Sequence, residues 1–253
     1  MGLSLATVTN VPYPENRQRN RILDCLADSD LALLQPCLQP VAMTFRMRLQ
    51  YADRAIKTVY FPESGLGSVV AAGNGRKTEA EVALIGREGM TGLAIVYGTD
   101  RSPCEIFMQV EGKGQQIGSQ DLRAAMARSS TMRDCFLLYA HVFAVQTAYT
   151  ALANAQGRLE DRLARWLLMA QDRLESNELL LTHEFLSLML GVRRAGVTTG
   201  LKHFENKGLI ATSRGAITIQ DRGGLEEAAN GFYGRPEAEF ERVFATARRM
   251  PAS

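Results

Sequence analysis

The sequence predicts an α+β chain: an N-terminal antiparallel β-roll of the jelly-roll kind, one long helix, and a C-terminal unit of short helices closed by a β-hairpin. Three observations carry this. Short β-type runs, broken by glycine and proline, fill the stretch from about Val41 to Gly118. A segment free of proline and glycine runs from Thr131 to Gln156. Two short helical patterns then flank Gly191 and precede two β-type runs between Leu209 and Ile219.

Size and composition set the outer bounds. A chain of 253 residues makes one large domain or two small ones, with enough length for a real core. The 29 basic and 27 acidic residues leave a net charge of +2, which excludes a polybasic protein but not a local basic patch. No uninterrupted apolar run approaches the ~18 residues of a membrane span. Met1 to Tyr13 lacks a basic start and an apolar run, so it reads as a polar lead-in rather than a signal peptide. Cys25, Cys37, Cys104 and Cys135 contain no Cys-x-x-Cys pair. That argues against zinc and iron–sulfur sites and for reduced, mostly buried thiols in a cytoplasmic protein.

From about Arg17 to Leu38, Leu23, Leu26, Leu31 and Leu34 recur at near-helical spacing, and Asp28 or Ser29 is the expected cap of a second helix. Pro36 and Pro40 end that region. The strand candidates are Thr58–Phe61, Gly67–Ala71, Glu81–Ile85 and Glu105–Val110, punctuated by glycines from Gly65 through Gly75 to Gly114. Many short strands with frequent turns suit a sandwich or barrel. Ser119 is the expected cap of a helix starting at Asp121. The Thr131–Gln156 segment is apolar on more than one face, so it needs cover on two sides. One side suits the β unit, and a second copy of the same helix is the simplest cover for the other. Gly157 ends it, and Arg158 to Leu174 gives an amphipathic helix. The expected units are 17–130, 131–157, 158–233 and a tail over 234–253.

The C-terminal pattern is the most specific. Thr182 precedes a short helix, Gly191 supplies the positive φ of a tight turn, and a second helix runs from about Arg193 to Lys207. Val197, Leu201 and Phe204 form its apolar side, and Gly208 stands where a helix-ending glycine belongs. This is a helix-turn-helix. Leu209–Thr212 and Ala216–Ile219 around Ser213-Arg214-Gly215 read as a hairpin wing. Between Arg193 and Arg214 five basic residues face Glu205 alone. Such an island neutralises phosphates. The candidate DNA contacts are therefore Thr182, Arg193, Arg194, Thr198, Thr199, Lys202, Ser213 and Arg214, with Arg194 placed to reach a guanine edge.

On these residues the chain resembles Crp/Fnr-type bacterial transcription regulators, over about Arg17 to Tyr233. The likeness is strongest from Leu181 to Val197, where Gly191, Arg194 and Val197 match the family motif, and continues through Gly208-Leu-Ile210 and the wing. Ala195 and Thr199 stand where the family commonly has glutamate and arginine. The resemblance implies a cyclic-nucleotide-binding-like roll, a dimerisation helix and a winged helix. It also implies a homodimer bound to palindromic double-stranded DNA, contact with RNA polymerase, and no membrane partner.

The resemblance further points to an effector site. Family members that bind cyclic nucleotides use a Gly-Glu turn and an Arg-Ser pair, which here suggests Glu88, Arg101 and Ser102. This chain departs from the pattern: the spacing from Glu88 to Arg101 is long, Pro103 replaces an alanine, and the long helix offers Phe143 and Ala144 where a hydroxyl is expected. Tyr139 and Thr147 lie within a turn of them. A cyclic nucleotide, another small effector and no ligand at all stay open, as does a plain ion pair between Glu88 and Arg101. A haem ligand stays possible in principle, but the histidines are His141, His183 and His203: the last two belong to the DNA-reading unit, and His141 on the long helix reads as a packed or hydrogen-bonded residue. An alternative is a ligand-binding module whose winged helix contacts protein only. An enzyme is not indicated: His183-Glu184 starts a zinc-protease motif, but Ser187 replaces its second histidine.

Overall fold

The structure, a computed structural model, describes residues 20–73 and 79–247. The lead-in Met1–Tyr13, the helix start near Arg17 and the turn glycine Gly75 lie outside the described residues. Two short helices open the fold, α1 (Arg21–Cys25) and α2 (Asp28–Leu34). Buried Asn20 caps α1, its Oδ1 accepting from the Ile22 and Leu23 amides, while its Nδ2 donates to Pro62 O and Gly89 O. The expected cap of α2 is corrected: Ala27 takes that position with no side-chain bond, and Asp28 and Ser29 lie inside the first turn. Asp30 instead accepts from Ser129 and Thr131, tying α2 to the start of the long helix.

Seven strands make the roll: β1 (Gln39–Met43), β2 (Arg48–Gln50), β3 (Thr58–Pro62), β4 (Leu66–Ala72), β5 (Glu79–Ile85), β6 (Glu105–Val110) and β7 (Gly112–Gly118). They pair antiparallel in two sheets, in orders β1-β7-β3 and β2-β6-β4-β5. The short helix α3 (Leu93–Val96) follows β5. The β-type runs in the sequence mark β3 to β6 but not β1, β2 or β7. Strand β7 is glycine-rich because neighbouring backbone leaves no room: a Cβ on Gly112 would lie 2.1 Å from Ser64 O, and one on Gly114 2.3 Å from Phe61 O. Side chains from both sheets fill the roll's interior, among them Met43, Leu49, Tyr60, Val69, Ile106 and Met108.

Helix α4 (Ser119–Arg128) leads into α5 (Ser130–Gln156). Ser119 is the first helical residue, and Gly118 occupies the cap position with no side-chain bond. Ser129 caps α5, accepting from the Met132 amide at 3.0 Å. By length and composition alone α5 is apolar enough to cross a membrane, although polar residues interrupt its apolar runs. Its faces have other uses. Gln146 donates to Leu84 O and accepts from Leu84 N, so its amide completes the outer edge of β5. Phe136, Tyr139 and Val142 are buried, whereas Leu137, Ala144, Ala148, Ala151 and Leu152 form an exposed stripe. Gly157 ends the helix in extended conformation.

The C-terminal half comprises α6 (Leu159–Leu174), β8 (Glu178–Leu179), α7 (His183–Met189), α8 (Arg194–Asn206), β9 (Ile210–Ser213), β10 (Ala216–Ile219), α9 (Arg222–Ala228) and α10 (Arg235–Ala247). The segment expected as a tail is thus the helix α10. It lies on α5, with Phe240, Val243 and Phe244 in the same core as Phe136 and Val142. Part of the cover that α5 needs therefore comes from its own chain. The cysteine reading also changes: only Cys135 is buried, the other three are half-buried, and none of the four is in a disulfide. Burial pushes the Cys135 thiol up to about 12.

The C-terminal half packs directly on the roll. Leu66 and Leu84 join the core built by Leu163, Trp166, Leu167 and Leu186. Inside that contact Glu81, 7 % exposed, accepts from Ser68 and from Trp166 Nε1 (2.6 Å). Arg165 of α6 donates to Thr150 Oγ1 of α5 (3.1 Å) and to Phe232 O beyond α9 (3.1 Å).

Candidate nucleic-acid interface and effector region

Thr182 caps helix α7, its hydroxyl accepting from the Phe185 amide at 3.2 Å. Its end turns at Gly191, where φ is +63°, a conformation that strains any residue with a Cβ. Helix α8 then buries Val197, Gly200, Leu201 and Phe204 and exposes Arg194, Thr198, Thr199 and Lys202. Arg193 is its cap residue and is exposed too. Gly196 and Gly200 face α6: a Cβ on either would lie 3.0 or 3.1 Å from Leu159 or Leu163. These glycines cost helix propensity of about 1 kcal/mol each but let α8 sit close on α6.

The wing follows at once. Strands β9 and β10 pair from Ser213↔Ala216 to Ile219↔Ile210, so the tip is the two residues Arg214 and Gly215, with φ +80° at Gly215. Strand β8 adds a third strand beside β10. Glu205, the one acid of the basic island, turns away to the wing and accepts from the Thr212 amide and hydroxyl. Those bonds hold its carboxyl below the ordinary range. Among the described residues none of Arg193, Arg194, Lys202, Lys207 and Arg214 forms an ion pair.

Thus Arg193, Arg194, Thr198, Thr199 and Lys202 share one exposed helix face, with Ser213 and Arg214 exposed at the wing and Thr182 at the start of α7. The hydroxyls of Thr198 and Thr199 donate to Arg194 O and Ala195 O, leaving lone pairs free to accept. Sequence reasoning missed His183, whose Nδ1 lies 3.0 Å from Thr198 Oγ1. The Thr198 proton already goes to Arg194 O, so the imidazole is the donor, and it pins α7 to α8. No spacing rule signals this contact.

The suggested effector residues are not brought together. Arg101 is exposed and sits 3.6 Å from Asp100, and Ser102 accepts from the Cys104 amide. Glu88 points elsewhere, to Arg173 of α6 at 2.8 Å. An ion pair between Glu88 and Arg101 is therefore not formed. The glycines around Glu88 have a definite use. A Cβ on Gly86 would stand 2.7 Å from the Arg173 side chain, and one on Gly89 2.2 Å from Tyr139 Oη. His141 pairs with Glu239 on α10 at 2.8 Å.

Comparison with known proteins agrees with this geometry. Residues 161–228 match the model of the Crp-like helix-turn-helix domain. A putative transcriptional regulator of the Crp/Fnr family from Eubacterium rectale is similar in structure, with TM-score 0.64, 20% identity, and 81% of this chain and 96% of that one covered. FixK2 from Bradyrhizobium japonicum gives TM-score 0.66 at 14% identity, covering 76% and 96%. The c-di-GMP responsive global regulator CLP from Xanthomonas campestris gives 0.61 at 15%, covering 76% and 99%. No curated protein matches the sequence. The segment from 161 to 228 is a Crp-like helix-turn-helix domain, carried on a chain with the Crp/Fnr-type fold.

Proposed function

We propose that the protein is a dimeric, sequence-specific DNA-binding transcription regulator that places α8 of each protomer in a major groove of a palindromic site. One observation carries this: the cations Arg193, Arg194, Lys202 and Arg214, none in an ion pair among the described residues, are exposed on the recognition helix and wing of a segment that matches a Crp-like domain. Cations without carboxylate partners are free to displace counterions from phosphates, and an arginine near the start of such a helix can read a guanine. The exposed stripe on α5 supplies the two-fold contact, which sets half-site spacing. A small effector acting through α5 is part of the proposal, as is a cytoplasmic location.

The test is a gel shift on the DNA upstream of the protein's own coding region. Each arginine–base pairing is worth about 1–3 kcal/mol, so Arg193→Ala combined with Arg194→Ala weakens specific binding on the order of 100-fold or more. The salt dependence also becomes shallower, by roughly one unit of slope for each phosphate that is no longer neutralised. Unchanged binding by the double variant refutes the assignment of the face. Recovery of a protein partner with no DNA binding at low salt favours the protein-contact module instead.

A further inference from the structure

Near its end the recognition helix carries the wrong charge. Glu205 is the one acid against five basic residues between Arg193 and Arg214. It sits in the last turn of α8, where a carboxylate opposes the helix dipole. Beside DNA it repels the phosphates that its neighbours attract. We propose that Glu205 is a positioning residue for DNA reading: it fixes the wing against the end of α8 and so sets where Arg214 meets the phosphate backbone. This role rests on the DNA-binding reading.

The wing needs such a hold. Strand β9 is an edge strand, since the sheet order is β8-β10-β9. Its partner in the ladder is β10, with Thr212 opposite Ile217. The Thr212 amide points out of that ladder and donates to Glu205 Oε1 at 3.1 Å, and the Thr212 hydroxyl donates to the same oxygen at 2.8 Å. The carboxylate thus stands where a further strand would. The tip adds a second reason. Of its two residues Gly215 has positive φ, +80°, while Arg214 does not. That is the pattern of a type II turn, whose twist splays paired strands, whereas the primed turns match them. The turn therefore does not hold the wing's twist unaided. At the base, the Gln220 and Asp221 amides donate to Leu209 O at 2.9 and 3.1 Å. Toward the tip, Glu205 grips Thr212, two residues before Arg214.

Arg214 is exposed, so the backbone that carries it decides where its guanidinium can reach. A hairpin free to swing spreads that cation over many positions, and ordering it on DNA costs entropy at each binding event. A hairpin already held by Glu205 has less to lose. The carboxylate thus has two opposed effects on affinity: repulsion through its charge and preorganisation through its oxygen. Glutamine separates them. Both bonds fall on one oxygen, and an amide oxygen can accept them while the charge is gone.

Anisotropy titrations over a range of salt, on the DNA upstream of the protein's own coding region, test this. Glu205 is exposed and alanine is the better helix former, so Glu205→Ala keeps the fold. We expect Glu205→Ala to bind several-fold more weakly than the natural protein, and Glu205→Gln at least as tightly. The salt slope of Glu205→Ala should fall by about one unit, the contribution of one phosphate contact. In an Arg214→Ala background the effect should reverse: adding Glu205→Ala no longer weakens binding, because only repulsion is left to remove. In the free protein, hydrogen exchange over residues 210–219 should quicken several-fold in Glu205→Ala and stay unchanged in Glu205→Gln. A Glu205→Ala chain that binds as tightly as the natural one, or more tightly, overturns the role and leaves a carboxylate that merely repels. Glutamine no better than alanine overturns the part played by the oxygen. Equal weakening with and without Arg214 overturns the route through the wing. Unaltered exchange in Glu205→Ala overturns the hold itself. If the natural chain binds no DNA, the regulator reading fails and this role with it, whatever the exchange shows.

Discussion

Glu81 lies buried where the roll meets the winged-helix half, held by Ser68 of β4 and Trp166 of α6. Burial raises its carboxyl to about 7, against the pull of bonds from Ser68 and Trp166 and of the positive charges of Arg165 and Arg173. A carboxyl whose folded pKa lies above its unfolded value favours the native state in its protonated form. Its contribution is complete below pH ~4.5 and is lost as pH rises through about 7. Across that window the change is at most about 3 kcal/mol. Glu81→Gln keeps the shape and removes the titration. We expect the variant to match the natural protein in Tm at pH 5 and to exceed it at pH 8. Equal melting curves at both values would show that Glu81 is ionised in place without penalty.

Among the elements, α10 departs furthest from the sequence reading. Phe240, 6 % exposed, stacks on Phe244 with ring centroids 4.4 Å apart and receives the Arg21 guanidinium at 4.4 Å. Phe240→Ala should cost about 3–5 kcal/mol of stability and make the helix sensitive to limited proteolysis. A melting curve indistinguishable from the parent's would show that α10 is not docked. The helix-turn-helix and wing were legible in the sequence because their signals are local. Gly191, Gly208 and Gly215 each adopt positive φ, and each ends or turns its element within a few residues. Strand β7 was not legible, because Gly112 and Gly114 answer to Ser64 and Phe61, some fifty residues away. The candidate DNA face could be read from one continuous stretch of sequence, Thr182 to Arg214. The tie between Glu88 and Arg173 could not, since a turn and a helix bring them together only in the fold.

At the scale of the molecule, the proposed dimer turns on the exposed stripe of α5. Leu152 is 40 % exposed near its C-terminal end, in line with Ala148 and Ala144. Leu152→Glu places a charge in that contact, and we expect sedimentation to show monomers where the natural chain gives dimers. DNA affinity should fall with it, because a monomer holds only one half-site. A Leu152→Glu chain that remains dimeric would move the two-fold axis to another surface.

The amide of Gln146 has a mechanical consequence. It grips both polar groups of Leu84, and so fixes one point of α5 to the sheet. Ten residues beyond that point the helix ends at Gln156, a lever arm of roughly 15 Å. A tilt of about 10° about this fulcrum would carry the helix end about 2.6 Å. The winged-helix half begins where that arm ends, so a small tilt about Leu84 would reach it enlarged.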